Sequence, residues 1–171
     1  MDFENVIANR RSIRKYLKKE VENEKIRKML NAINSAPSAG DLQAYEVFLV
    51  KDEELKEKLA EAAYGQYFIS EAPLVFVFFA NPKRSAIRYG TRGERLYCIL
   101  DAAIAASYLQ LSAVDLGLGS VWVGAFDDDK VRKILKVNER LIPVAIIPVG
   151  YPAEKPAATP RRKLEDLVKF L

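Results

Sequence analysis

Apolar residues recur in this chain with two periods, and those periods mark out its helices and strands. Phe3, Val6 and Ile7 are spaced to share one face of a short helix, with Asp2 placed to cap its start. Glu22 to Ser35 predicts a second helix with Ile26, Met29, Leu30 and Ile33 turned inward, stopped before Pro37. Glu53 to Ala63 predicts a third, with Leu55, Leu59 and Ala62 on one face. Tyr45 to Lys51 and Ser120 to Ala125 read as strands. Pro73–Ala80 and Leu141–Val149 are almost wholly apolar, which marks Pro73–Ala80 as a central strand covered on both faces. Glu94 to Leu116 predicts one long helix, apolar or small around most of its circumference. Such a helix belongs in a core or at an interface. Lys130 to Leu135 predicts a short helix. Ala153–Pro160, with its alanines and prolines, predicts an extended arm, and Lys163 to Leu171 a terminal helix. Strands and helices do not alternate as regular βαβ units and nothing repeats, so the pattern predicts an α+β fold with a layered architecture.

Composition narrows the chemistry. A chain of 171 residues, half of them hydrophobic, suits one domain with a real core and excludes a disordered protein. The two apolar strands are too short to span a bilayer, and no leader-like segment follows Asp2 and Glu4, so a cytoplasmic protein is expected. Cys98 is the only cysteine; it cannot form an internal disulfide and reads as a small core residue. There is no histidine. That absence removes Ser-His-Asp and Cys-His nucleophilic sites, imidazole metal sites and histidine acid–base catalysis, and no metal site is expected. An enzyme built this way needs a cofactor to carry its hard chemistry.

The formal net charge of +4 is modest, but cations gather at both ends of the chain. Asn9-Arg10-Arg11-Ser12-Ile13-Arg14-Lys15-Tyr16 places four cations and a hydroxyl directly after the first helix, and Arg161-Arg162-Lys163 forms a second knot. Arginine forks and a serine hydroxyl suit phosphate oxygens, so the two knots would hold one phosphate if the fold joined them. From the charges alone, a solvated basic arm or a nucleic-acid patch is the stronger reading.

Gly117 to Gly124 resembles a dinucleotide fingerprint only superficially. Trp122 occupies the third glycine position, and the run leaves a helix and enters a strand, the reverse of the required context. Gly117 and Gly119 read as a helix cap and turn, whereas Gly124, inside a strand, marks a close approach of ligand or backbone. Trp122 reads first as a core aromatic. Pro37-Ser38-Ala39-Gly40-Asp41-Leu42-Gln43 is either an ordinary connector or a loop presenting backbone N–H groups and an amide to a flat ring. Asp127-Asp128-Asp129 reads as an N-cap with an acidic first turn rather than a metal site. Asp101, inside the long apolar helix, needs a hydrogen-bonding partner.

Taken in order, Arg10-Arg11-Ser12-Ile13-Arg14, the Pro37–Gln43 loop, Gly117 through Phe126 and Arg161-Arg162 resemble the nitroreductase family of FMN-dependent oxidoreductases, over nearly the whole chain. The resemblance implies a single domain over residues 1–171, with a mostly antiparallel central sheet flanked by helices. It further implies a homodimer with the long helix at the interface and FMN between the subunits. Arg10, Ser12 and Arg14, with Arg11 nearby, would contact the phosphate, joined by Arg162 more readily than Arg161. Pro37, Ser38, Ala39, Asp41 and Gln43 would reach the flavin of the other subunit. Trp122, Val123, Gly124 and Ala125 would lie along the ring, with the Gly124 N–H directed at flavin N5. Asp101 and Gln66 would make polar flavin contacts. Two departures stand out: the family loop commonly has Asn followed by Gln-Pro-Trp, where this chain has Asp41 and then Gln43-Ala44-Tyr45, and some members carry Glu near Gly124. The implied activity is hydride transfer from NAD(P)H through flavin N5 to a nitroaromatic, quinone, flavin or similar conjugated acceptor, in a ping-pong sequence. A flavin-binding sensor and a basic nucleic-acid-binding protein are the alternatives.

Overall fold

Four antiparallel strands in the order β1–β2–β4–β3 form the centre of the computed structural model, which describes residues 2–171: β1 (Tyr45–Val50), β2 (Leu74–Ala80), β3 (Gly119–Ser120) and β4 (Ile142–Gly150). β2 is flanked on both sides and all seven of its residues are buried, as its apolar run requires. Alternation along it serves two cores. Phe76 and Phe78 face a layer built from Ile26, Met29, Ile33, Ala105, Ala106 and Leu109, whereas Val75, Val77 and Phe79 face Leu59, Ala60, Val121 and Val131. The fully buried Phe76, Phe78 and Phe79 each contribute about 1.5–3 kcal/mol by leaving water.

The helices are α1 (Phe3–Asn9), α2 (Asn23–Asn34), α3 (Glu53–Ala62), α4 (Phe68–Glu71), α5 (Pro82–Arg92), α6 (Cys98–Asp115), α7 (Asp128–Ile134) and α8 (Leu164–Leu167). Several starts follow local chemistry. The side chains of Asp2, Asp52, Asn81 and Asp127 each accept a backbone N–H of the first turn, and Pro82 sits at the first position of α5. The aspartate run at 127–129 is therefore a cap and an acidic first turn.

The structure departs from the sequence pattern in five places. The helix expected over 94–116 is α6 preceded by one wider turn, Gly93–Tyr97, and by α5, which the pattern did not mark. Gly90 (φ 51°, ψ −140°) breaks the run inside α5, two residues before its end. By length and composition Pro82–Asp115 could cross a membrane, but Ala102, Ala105, Ala106, Leu109 and Ala113 pack α6 within the chain's own core. The strand expected over 120–125 shrinks to Gly119–Ser120 and one bridge, Val123 to Ile146, in the same register against β4. Leu30 is 42% exposed, and Phe3 and Ile7 are exposed while Val6 alone anchors α1. Finally, the terminal helix amounts to Leu164–Leu167, beyond an arm over 153–163 without helix or strand.

Candidate active site

The basic turn after α1 is stapled rather than loose. Ile13 N–H donates to Ser120 O at 3.0 Å, Leu17 N–H to Tyr151 O at 2.9 Å, and Ala153 N–H to Lys15 O at 2.9 Å. Arg14 N–H donates to the Glu154 carboxylate, and the buried Tyr16 hydroxyl donates to Ile13 O at 2.6 Å. Burial pushes the Tyr16 phenol well above its ordinary pKa. These contacts bring the two ends of the chain together. Arg10 is partly buried, and its guanidinium is pushed below its ordinary pKa, first by burial and then by the charges of Arg161 and Arg11. Among the described residues no carboxylate forms an ion pair with Arg10 or Arg161.

The neighbouring arginines have other tasks. Arg11 caps α1, donating to Ala8 O at 2.6 Å and Arg10 O at 2.9 Å. Arg14 lies 5.9 Å from the centroid of the Phe68 ring. Arg162, which the sequence reading favoured for the phosphate, donates to Asp166 O at 2.6 Å, while the charge of Arg161 acts on Arg10.

At the other end of this face, Val123 bonds Ile146 through both its N–H and its C=O, each at 3.0 Å. The backbone groups of its neighbours therefore point away from β4. Gly124 N–H makes no hydrogen bond among the described residues. A Cβ at Gly124 would meet only the Trp122 indole, at 3.4 and 3.7 Å, and the backbone there is not left-handed. The chain's own packing thus does not require glycine at this position. Trp122 is 37% exposed, not a core aromatic, and Gly124 and Ala125 are exposed beside it, while Val123 points into the core. Gln66 bridges to this segment, donating to Ala63 O at 2.9 Å and Ala125 O at 3.1 Å. With Phe68 two residues on, it links the arginine end to the Trp122–Ala125 end. The turn before it is bent by left-handed Tyr64 and Gly65.

The Pro37–Gln43 loop is a separate construction. Gly40, Asp41 and Gln43 all have left-handed backbones (φ 58°, 55° and 46°), and each of the two non-glycine residues stores strain of roughly 1–3 kcal/mol. Surrounding bonds hold it there. Gln43 N–H donates to Ser38 Oγ at 2.9 Å, and the Gln43 amide donates to Asn34 O at 3.0 Å. Arg84 donates to Leu42 O and Arg88 to Gly40 O. Asp101, only 2% exposed, accepts Ala39 N–H on Oδ1 at 2.9 Å, while its buried Oδ2 has no partner among the described residues. Asp101 therefore grips the loop from below. Pro37 and Asp41 are exposed, so the Asp41 carboxylate stands in solvent. No hydrogen bond joins this loop to the Arg10 turn or to residues 122–125 among the described residues.

Two features escaped the sequence reading. One is Glu154, whose role depends on the arm crossing the basic turn. The other is α5, whose signal was present: Asn81-Pro82 is a cap followed by an N-terminal proline, with Arg84 and Arg88 four residues apart.

The stapled basic turn, the Trp122–Ala125 segment and the strained loop above α6 are set in an α+β frame. The model of the nitroreductase family matches residues 7–85 and 62–151 of the chain. An NADH dehydrogenase from Thermus thermophilus is 33% identical over 195 residues, covering 98% of this chain and 95% of its own. An NADPH-dependent oxidoreductase from Staphylococcus aureus is 32% identical over 172 residues, covering 92% and 68%. Among solved structures, an FMN-dependent nitroreductase from Clostridium difficile superimposes with a TM-score of 0.85 at 34% identity, covering 98% of each chain. The chain belongs to the nitroreductase family and is an oxidoreductase of that family.

Proposed function

We propose that the protein is an FMN-dependent oxidoreductase that takes hydride from NADH or NADPH and delivers it to a nitroaromatic, a quinone, a flavin or a similar conjugated acceptor, donor and acceptor using one cleft in turn. The observation that carries this reading is the stapling of the basic turn that follows Arg10 against Ser120, Tyr151 and Ala153, with the charge of Arg161 acting on Arg10 and no carboxylate paired with either among the described residues. Cations gathered at a stapled turn without a carboxylate call for an anion, and a phosphate fits their forks. FMN would bring hydride chemistry that no side chain of a histidine-free protein offers.

The residues present fit that cofactor. Arg10, Ser12, Arg14 and Arg161 would bind the phosphate, with Arg11 shaping the turn. Gly124 N–H is free to donate to N5, and the missing Cβ leaves room for a ring against Trp122–Ala125. Gln66, with its amide N–H groups already used, would present Oε1 as an acceptor at the ring's polar edge. Protons come from water.

The loop of Pro37, Ser38, Ala39, Asp41 and Gln43, held by Asp101, stands apart from these groups in a single chain, which supports a homodimer in which it completes the partner's site. Exposed apolar surface supports the same assembly. Leu100 (46% exposed) and Tyr108 (39%) lie on the outer side of α6, α1 presents Phe3 and Ile7, and the C-terminal segment exposes Leu164, Leu167, Phe170 and Leu171. A stable monomer rarely leaves so much uncovered.

Purified protein should be yellow and should bleach anaerobically on addition of NADH or NADPH, then recover colour with a quinone or nitroaromatic. Initial-rate lines should be parallel as donor and acceptor are varied. Colourless protein that rejects added FMN, or that binds nucleic acid with steep salt dependence instead, overturns the proposal.

A further inference from the structure

Between Glu71 and Glu94 the chain carries Lys83, Arg84, Arg88 and Arg92 and not one carboxylate. All four cations are exposed on or at the end of α5. Arg84 and Arg88 are four residues apart, about 6 Å along one face of the helix, a spacing at which like charges repel. Among the described residues none of the four forms an ion pair. Their recorded contacts are neutral: Arg84 to Leu42 O, Arg88 to Gly40 O, and Arg92 to the Tyr97 hydroxyl at 3.0 Å. Each guanidinium has five N–H donors, so most remain unused. The row also carries flat surface. Tyr89 and Tyr97 meet edge to face with centroids 5.2 Å apart, Arg88 lies 5.5 Å from the Tyr89 ring, and Arg92 lies 5.4 Å from the Tyr97 ring.

A row of unpaired forks beside two aromatic rings recognises a ligand that combines phosphates with a planar base. Its position narrows the choice. Two of the arginines touch the 40–42 backbone, the loop assigned above to the flavin, so a ligand lying on α5 would have one end at the flavin cleft. We infer that α5 binds the adenosine-diphosphate portion of the nicotinamide donor through Arg88 and Arg92, with Lys83 and Arg84 adding charge, and leaves the nicotinamide free to enter the cleft. This rests on the function proposed above for the substrate's reactive end, but binding of the adenosine-diphosphate portion does not depend on flavin. Hydride passes from the dihydronicotinamide to the oxidised flavin, leaving the oxidised nicotinamide; α5 takes no part in that step.

The test uses full-length Arg88→Gln and Arg92→Gln, which keep a polar side chain but lose the charge and the fork. Calorimetry with ADP-ribose and its 2′-phosphate, probes without a nicotinamide, should show binding to the parent protein that weakens about tenfold in each variant, the scale of a charge-assisted hydrogen bond. In the flavin-loaded enzymes KM for NADH or NADPH should rise by a similar factor with kcat changed less than about twofold. Oxidation of N-benzyl-dihydronicotinamide, a donor with no phosphate, should be the same in the parent and in Arg92→Gln, whose recorded contacts are with Tyr97 and not with the loop. Equal ADP-ribose binding by all three proteins overturns the inference. So does a matching loss with the benzyl donor in Arg92→Gln, which would make this end of α5 a buttress and nothing more. Tighter binding of a single-stranded oligonucleotide than of ADP-ribose, lost in the same variants, overturns it in favour of a nucleic-acid surface. If ADP-ribose binds as expected while FMN is neither bound nor reduced, the function proposed above fails and the α5 site stands.

Discussion

Replacing Asp101 by alanine removes the acceptor that holds Ala39 N–H, and its consequences can be worked out from the surrounding geometry. The lost bond is one to a charged group, worth about 1.5–3 kcal/mol. The loop it restrains stores roughly 1–3 kcal/mol of backbone strain at each of Asp41 and Gln43, so the bond and the strain are of the same size. Without the bond the loop can relax, and if it contributes to the flavin site, FMN affinity should fall by about 2 kcal/mol, roughly thirtyfold. Global stability should move much less. Oδ2 of Asp101 is buried without a partner, and removing it relieves a penalty of about 1–3 kcal/mol that offsets the lost bond. Asp101→Asn keeps an acceptor for Ala39 and should restore most of the FMN affinity. Three measurements decide the matter: flavin titration, thermal melting, and hydrogen exchange at the Ala39 amide. Unchanged exchange and unchanged FMN affinity in Asp101→Ala would show that Ser38, Arg84 and Asn34 hold the loop without it. A large drop in melting temperature with flavin binding intact would make Asp101 a packing residue.

Arg161→Ala should weaken FMN binding about tenfold and Arg162→Ala much less, because the charge of Arg161 acts on Arg10 while Arg162 is engaged with Asp166 O; flavin titration of both folded variants checks this. Gly124→Val should fold normally, since its Cβ has room beside Trp122 and valine suits extended backbone, yet reduction by a nicotinamide followed by stopped flow should slow at least tenfold. A wild-type rate would mean that no ring lies against that strand. Leu100→Glu or Tyr108→Glu should shift sedimentation toward monomer with loss of bound flavin. The buried Ala105 and Ala106 cannot serve this test, because charge there would damage the chain's own core.

Most of the regular frame was legible in the residues themselves. β2 announces itself as central because seven consecutive apolar residues have nowhere to go but between two layers, and α2, α3 and α7 follow apolar periodicity and capping chemistry, both local properties. The ordered set of the Arg10 turn, the 37–43 loop and the 117–126 segment was likewise enough to point to the family. Pairings across the chain were not legible. That Glu154 and Ala153 cross the basic turn, bonding Arg14 N–H and Lys15 O, depends on the path of an arm of alanine and proline. Trp122 is a rim residue because Val121 and Val123 on either side of it take the core-facing positions. Asp101 becomes the grip on a strained loop because α6 passes beneath residue 39, sixty-two positions away in the chain. α5 shows the limit from the other side: its cap and proline are local, but its unpaired arginines acquire meaning only where the fold sets them against the 40–42 backbone. Periodicity reports which face of an element is buried. Which two distant faces then meet is settled by packing among all the elements at once, and no window of sequence contains that information.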